Sequence, residues 1–190
     1  SKTQDRVSTG YKVGSASDGA AYWSIATTMR SDNKALGAAQ DALGVGAAKV
    51  DTAYAAMESS IDVVNEIKAK LVTASESSAD KDQIQLEIGK LQEQLSAIGQ
   101  AASFNGENWM LGATTATNSV VTGFVRTSSG VQVTTETVTS GSFALFAKGA
   151  NGLADTTGGV LKDIAAFTTV SLASSAVATS LNTVETALKA

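Results

Sequence analysis

The residues of this 190-residue chain with the most chemical character are Ser31-Asp32-Asn33-Lys34, which satisfy two acyl-transfer patterns at once, S-x-x-K and S-D-N. In an enzyme those motifs come from separate parts of a fold, so that lysine and asparagine reach the serine from different sides. Four consecutive residues on a helix cannot do this, and no K-T-G follows, so the tetrapeptide reads as solvated helix surface. Gly44-Val45-Gly46-Ala47-Ala48-Lys49 has the glycines and lysine of a phosphate loop, but lacks the spacing before Gly-Lys and a preceding strand. Asp80 and Asp82 open like a calcium loop, yet Ile84 takes a ligand position and the turn glycine is missing. A helix N-terminus explains both aspartates.

Cysteine, histidine and proline are absent, which removes thiol and imidazole catalysis and the usual zinc ligands. The expectation is a protein that is not an enzyme, with no catalytic residues, no metal and no cofactor. Glu58, Asp62, Glu66 and Lys70 form a charged stripe at helical spacing, readable as a solvated face or as pairing between subunits. Trp23 and Trp109 are large enough to anchor either an interface or a core.

The element that positions most of these residues announces itself by period. Tyr22, Met29, Leu36, Leu43, Val50, Met57, Val64 and Leu71 recur at every seventh position, which predicts one helix from about Gly19 to Ala74 with a seam facing partner helices. At about 1.5 Å per residue it would run roughly 80 Å. A second line, Ile25, Ala39, Ala47, Tyr54, Ile61 and Ile67, is interrupted by Asp32, Gln40 and Ser60, which favours a broader bundle over a two-stranded zipper. Gly37, Gly44 and Gly46 each cost about 1 kcal/mol against alanine, compensated either by close approach of another backbone or by a local bend.

Covering helices follow. Ile84, Ile88, Leu91, Leu95, Ile98 and Ala102 make a helical stripe from about Asp80 to Ala102, and Val177, Leu181, Val184 and Leu188 another near the C-terminus. Together they are shorter than the first helix, so part of its seam should lack an intrachain partner. Ser15, Ser17 and Asp18 are candidate caps for the long helix, after a hinge at Gly10 to Ser17. Ser75, Ser77 and Ser78 turn the chain into the second helix. From Thr114 to Thr139 the chain is rich in Thr, Ser and Val, with Phe124, Val131, Val133 and Val138 among polar neighbours. This predicts short half-buried strands turning at Thr127-Ser128-Ser129-Gly130. A third strand is expected over Ser142 to Lys148, a Gly-rich loop from Gly149 to Gly159, and a short helix from Val160 to Phe167. The fold class is therefore mainly α: a long helical hairpin or bundle rod with a small β-containing outer element. Its expected core is Leu36, Leu43, Val50, Met57, Val64, Leu71, Ile84, Leu91 and Leu95, with Tyr22, Trp23, Met29 and Arg30 as candidate subunit contacts.

A formal charge of −4 without a Lys/Arg cluster argues against nucleic acid. No apolar run approaches the roughly 20 residues of a membrane span, and residues 1–20 hold no signal-peptide core, so neither membrane insertion nor a cleaved leader is expected.

Arg6-Val7-Ser8-Thr9-Gly10, Ser15-Ala16-Ser17-Asp18, Ala20-Ala21, Tyr22-Trp23-Ser24 and Ile25-Ala26 are followed, after the second helical stripe, by Phe104-Asn105-Gly106-Glu107-Asn108-Trp109. In order and spacing these resemble the N-terminal segment of bacterial flagellins, the alphaproteobacterial ones in particular, over residues 1 to 111. The resemblance implies a self-assembling structural subunit of the flagellar filament, the propeller of motility. It would be exported through the flagellum without a cleaved signal peptide and would be extracellular. The implied partners are other flagellin subunits, in a homo- or hetero-polymer, the flagellar export apparatus, and the cap and hook-associated proteins. It divides the chain into residues 1-18, the end of a terminal helix and a linker; 19-111, the N-terminal part of a helical rod domain; 112-170, an outer β-containing surface region; and 171-190, the start of a returning C-terminal rod helix. Family members carry further helix at both ends, so the chain looks like a core fragment lacking the terminal helices. Flagellins sensed by the animal Toll-like receptor carry an arginine where Glu66 aligns, which implies weak sensing here. The alternatives are a hook-filament junction protein and a surface-recognition module in which Thr114 to Gly159 binds a surface or carries glycans.

Overall fold

The computed structural model describes residues 2–10, 19–165 and 177–190. The chain is mainly helical, with small paired strands. It divides into two compact units, one comprising Ser1–Val45 with Val120–Glu136, the other Gly46–Ser119 with Thr137–Ala190. Helix α1 (Lys2–Thr9) stops at Gly10, whose φ of 71° is the left-handed conformation that ends helices. Helix α2 (Ala20–Ala74) is continuous for 55 residues, so Gly37, Gly44 and Gly46 do not interrupt it. Among the described residues, nothing outside the local helix backbone lies within 4 Å of where a Cβ would stand at Gly37 or Gly44, so no described segment approaches closely at those two glycines. The expected caps Ser15, Ser17 and Asp18 lie outside the described residues.

The first unit joins the N-terminal part of α2 to most of a hairpin, β3 (Asn118–Thr127) and β4 (Gly130–Val138). The two-residue turn falls at Ser128-Ser129, where the sequence places it, and Gly130 takes a φ of 133°. The hydroxyl of Thr127 donates to the Gly130 carbonyl at 3.0 Å. Of the half-buried strands expected here, β3 is half-buried at many positions, Phe124 included, whereas β4 is exposed along nearly its whole length, Val131 and Val133 included.

In the second unit α2 ends at Ala74 and α3 runs Lys81–Ala101. Asp80 caps α3 from an extended conformation, its carboxylate accepting from the Gln83 amide at 3.1 Å, with Asp82 in the first turn. Lys70 pairs with Glu87 near the connection, and Lys49 with Glu107 just past the far end of α3. These two contacts require α3 to run back along α2. After α3 comes a minimal hairpin, β1 (Ser103–Phe104) and β2 (Glu107–Asn108), in the register Phe104↔Glu107. Its turn residues Asn105 and Gly106 have φ of 51° and 79°, the pair of positive values that a type I′ turn demands and Asn-Gly supplies most readily.

The core of this unit gathers Val64, Ile67 and Leu71 of α2, Ile88 and Leu95 of α3, and Trp109, Met110, Phe146 and Ile164 from the segments beyond. The expected strand over Ser142 to Lys148 does not form. Ser140–Ser142 is a turn of 3-10 helix, Phe146 makes a single parallel bridge with Leu111, and Ala147–Lys148 (β5) pairs with Ala154–Asp155 (β6). The reason lies in burial: Ala144, Leu145 and Phe146 are all buried in succession, whereas a strand on a surface would alternate. Phe146 instead runs beside the segment after β2, its amide donating to the Met110 carbonyl at 3.3 Å and its carbonyl accepting from Gly112 at 3.1 Å. Helix α4 (Lys162–Ala165) is the described part of the helix expected over Val160 to Phe167, and α5 (Val177–Leu188) packs against it. Lys68 of α2 pairs with Glu185 of α5.

Candidate assembly surface

The residues with chemical character are occupied structurally. Asp32 accepts from Nε of Arg126 at 2.8 Å and from a second guanidinium nitrogen, tying β3 to α2 within the first unit. That bond holds the Arg126 guanidinium above its ordinary pKa. Ser31 and Lys34 are exposed on the same helix. Lys49 gives its ammonium to Glu107 at 2.8 Å, and the indole of Trp109 donates to the same carboxylate at 3.4 Å. The lysine hydrogen bond holds Glu107 below the ordinary glutamate range. Among the described residues no group of three or more acidic, histidine or cysteine residues is arranged to hold a metal, and no helix is long and apolar enough to cross a membrane.

Sequence reasoning missed these pairings. Arg126 is the sole basic residue between Lys90 and Lys148, a signal that it has a dedicated partner, but nothing in the pattern pointed to Asp32. Asn108 was also missed. Its side-chain amide donates to the carbonyls of Gly99 at 2.7 Å and Gln100 at 3.3 Å, satisfying the open end of α3, while its oxygen accepts from the Met110 amide at 2.9 Å. The motif Phe104-Asn105-Gly106-Glu107-Asn108-Trp109 is thus a turn, an ion pair, a helix cap and a core anchor in succession. Trp109 is buried in its own molecule, 4% exposed.

Along α2 the row buried within this chain is Ala39, Gly46, Ala53, Ser60, Ile67 and Ala74, again one residue in seven but small for most of its length. Beside it, Val64 and Leu71 are buried and Met57 half-buried, while Leu36, Leu43 and Val50 are each nearly half exposed. On α3, Ile84 and Leu95 are buried and Leu91 is half-buried. Tyr22, Ile25 and Met29 are 72%, 58% and 64% exposed, Arg30 is exposed and Trp23 half-buried. In the second unit Tyr54 and Ile61 continue the exposed apolar positions. Of the charged stripe, Lys70 is paired, and Glu58, Asp62 and Glu66 are exposed. A part of the seam therefore has no cover within the described chain, as the short lengths of the other helices require: α3 and α5 have 21 and 12 residues against 55 in α2.

On α2, Asp32, Lys49, Lys68 and Lys70 are spent on holding the fold, and the open apolar rows are the kind of surface that further helices can cover. The comparisons with known proteins agree. Residues 1–115 match the bacterial flagellin N-terminal helical region. Flagellin A of Rhizobium meliloti (strain 1021) is 66% identical over 131 residues, covering 67% of this chain and 33% of that protein. Flagellin D of Rhizobium meliloti is 60% identical over 159 residues, 81% of this chain and 40% of the relative. The flagellin of Brucella melitensis biotype 1 is 44% identical over 189 residues, 98% of this chain and 62% of the relative. The chain belongs to the bacterial flagellins. It spans between a third and two thirds of the length of these relatives.

Proposed function

We propose that this chain is the helical packing part of a structural subunit of the bacterial flagellar filament, extracellular and without catalytic activity. The observation that carries the reading is the row Tyr22, Ile25, Met29, Leu36 and Leu43, which stands open on α2. Burying a large apolar side chain contributes roughly 1.5–3 kcal/mol, so covering this row by neighbouring helices supplies a driving force for assembly. Family membership supports the same reading. The partners are other flagellin subunits, with the export apparatus, the cap and the hook-associated proteins met on the way to the filament tip, and export proceeds without a cleaved signal peptide.

The residue roles follow. Leu36, Leu43, Val50, Met57, Val64, Leu71, Ile84, Leu91 and Leu95 form the rod core, the first three completed by helices from outside the described chain, and Tyr22, Trp23, Met29 and Arg30 meet neighbouring subunits. Residues 1-18 link the rod to a terminal helix, 19-111 form the rod, 112-170 face outward, and 171-190 begin the returning rod helix. The test is polymerisation of the purified whole protein from monomer, followed by pelleting and negative-stain microscopy. Long helical polymers are expected; a protein that stays monomeric under salting-out conditions and on added filament seeds would overturn the proposal.

A further inference from the structure

Of the asparagines along the chain, Asn105 and Asn151 are followed by glycine. An asparagine side chain can react with the backbone that follows it, because its carboxamide carbon and the next amide nitrogen can close a five-membered ring. Glycine favours this step: its amide is unshielded by a side chain and its backbone turns freely. Both dipeptides are exposed, so exposure does not distinguish them. Their hydrogen bonds do.

At Asn151-Gly152 both reacting groups are held. The Asn151 carboxamide oxygen accepts from the Leu153 amide at 3.1 Å, and the Gly152 amide donates to the Gly149 carbonyl at 2.9 Å. Ring closure there has to break both bonds. The Asn105 carboxamide has no hydrogen-bond partner among the described residues, and the Gly106 amide enters none of the turn and loop bonds. No described atom beyond its chain neighbours lies within 4 Å of where a Cβ of Gly106 would stand. What keeps Asn105 at its φ of 51° is the ribbon of β1 and β2, two residue pairs long and exposed from Ser103 to Glu107. A ribbon that short opens at low cost.

We propose that Asn105 is a self-modifying site at which the folded protein ages, its carboxamide converting to aspartate and isoaspartate while Asn151 is spared. The Gly106 amide nitrogen, having lost its proton to solvent, attacks Cγ of Asn105. The new N–Cγ bond replaces the Cγ–Nδ2 bond, and Nδ2 leaves with a solvent proton as ammonia. Water then opens the cyclic imide. Attack at Cγ restores the backbone and leaves aspartate; attack at the main-chain carbonyl leaves Gly106 joined through Cγ, as isoaspartate. The two products differ in consequence. Aspartate tolerates a positive φ as asparagine does, so the turn survives with one more negative charge beside Glu107. Isoaspartate adds a methylene to the main chain, and a two-residue turn cannot absorb it without losing the register Phe104↔Glu107. Behind that register stand the Lys49–Glu107 pair and the Asn108 amide that caps α3, so isoaspartate releases the end of α3.

The experiment incubates the whole protein at fixed pH and temperature, once folded and once in concentrated urea. Mass spectrometry follows residues 91–126 and 149–162, the tryptic peptides that hold Asn105 and Asn151, and an isoaspartyl methyltransferase with labelled S-adenosylmethionine counts the isoaspartate. In urea the two sites convert at comparable rates. In the folded protein Asn105 converts about tenfold faster than Asn151, the order of factor that two hydrogen bonds of ordinary strength impose. Equal rates in the folded protein, a faster Asn151, or an Asn105 that stays intact while the chain in urea converts, would each overturn the proposal. The consequence is read separately, by urea unfolding of the isoaspartate form against Asn105→Asp. A folding equilibrium constant lower by about tenfold in the isoaspartate form is expected, and equal stability of the two would show that the turn does not hold the end of α3. None of these outcomes depends on polymerisation, so the filament reading stands or falls apart from them.

Discussion

Replacing Phe146 with alanine should destabilise the second unit more than any surface change along the chain. The ring is fully buried, and its Cδ2 lies 3.2 Å from where a Cβ of Gly99 would stand, so it rests directly on the bare backbone of α3. The two residues before it, Ala144 and Leu145, are buried as well, which leaves few neighbours able to move into the space. Loss of a buried phenylalanine ring costs about 3–5 kcal/mol, through lost transfer energy plus the cavity left behind. With a urea dependence of about 2 kcal/mol per molar for a unit of this size, the unfolding midpoint falls by about 1.5–2.5 M. Trp109, buried in the same unit, reports the transition by fluorescence once Trp23 is replaced with phenylalanine. Val133→Ala is the control: at 58% exposure on β4 it should change stability by less than about 0.5 kcal/mol. A Phe146→Ala midpoint that moves no further than the Val133→Ala midpoint would refute the packing of the Ser142 to Lys148 segment under α3.

Asn108→Ala removes two donors from the end of α3 and an acceptor from the Met110 amide, and is expected to cost about 1–3 kcal/mol in the same urea titration; Asn108→Asp should retain only the acceptor bond. Gly106→Ala forces an alanine into a φ of 79° and should cost about 1–2 kcal/mol, with no loss if the β1–β2 turn is not of this type. The lysine hydrogen bonds from Lys70, Lys49 and Lys68 hold Glu87, Glu107 and Glu185 below their ordinary value of 4.5. A depressed folded-state pKa means the pairs stabilise the protein above the ordinary glutamate range and cease to do so as pH falls through the lower, folded values. The melting temperature of the second unit should therefore decline on acidification below about pH 5. A variant with methionine at Lys49, Lys68 and Lys70 should decline less, and equal declines in both proteins would show that the pairs do not link folding to pH. Asp80→Ala should cost about 1 kcal/mol through the lost cap on α3, measurable as a drop in thermal midpoint that Asp80→Ser largely avoids.

The helical hairpin was legible because its signals are local and agree with each other. The 3,4 spacing from Ile84 to Ala102 gave α3, and the aspartates at its start gave the boundary that Asp80 realises as a cap. The two-residue turn at Ser128-Ser129 was equally readable. Period alone, however, does not say which of two adjacent heptad rows on a helix turns inward. The row Ala39, Gly46, Ala53 and Ser60 is inconspicuous by hydrophobicity because its residues are small or polar, yet it is the row buried within this chain. The segment from Ser142 to Lys148 misled for a related reason. Phe143, Leu145 and Phe146 have strand propensity, but burial on all sides, decided by α3 and the segment around Met110, allowed only a bridge at Phe146 and the two-residue pairing after it. The ion pairs Asp32–Arg126 and Lys68–Glu185 join positions far apart in sequence, and no local pattern carries that information. The Phe104-Asn105-Gly106 motif, in contrast, was readable as a family mark before its physical basis as a turn was visible.

The most direct test of the assembly account is an electron cryo-microscopy reconstruction of filaments grown from the whole protein, at a resolution that traces α2 and α3. The account predicts helical filaments in which the hairpin of α2 and α3 lies in the wall and the row from Tyr22 to Leu43 is covered by neighbouring helices. Filaments in which that row faces solvent, or only soluble monomers, would contradict it.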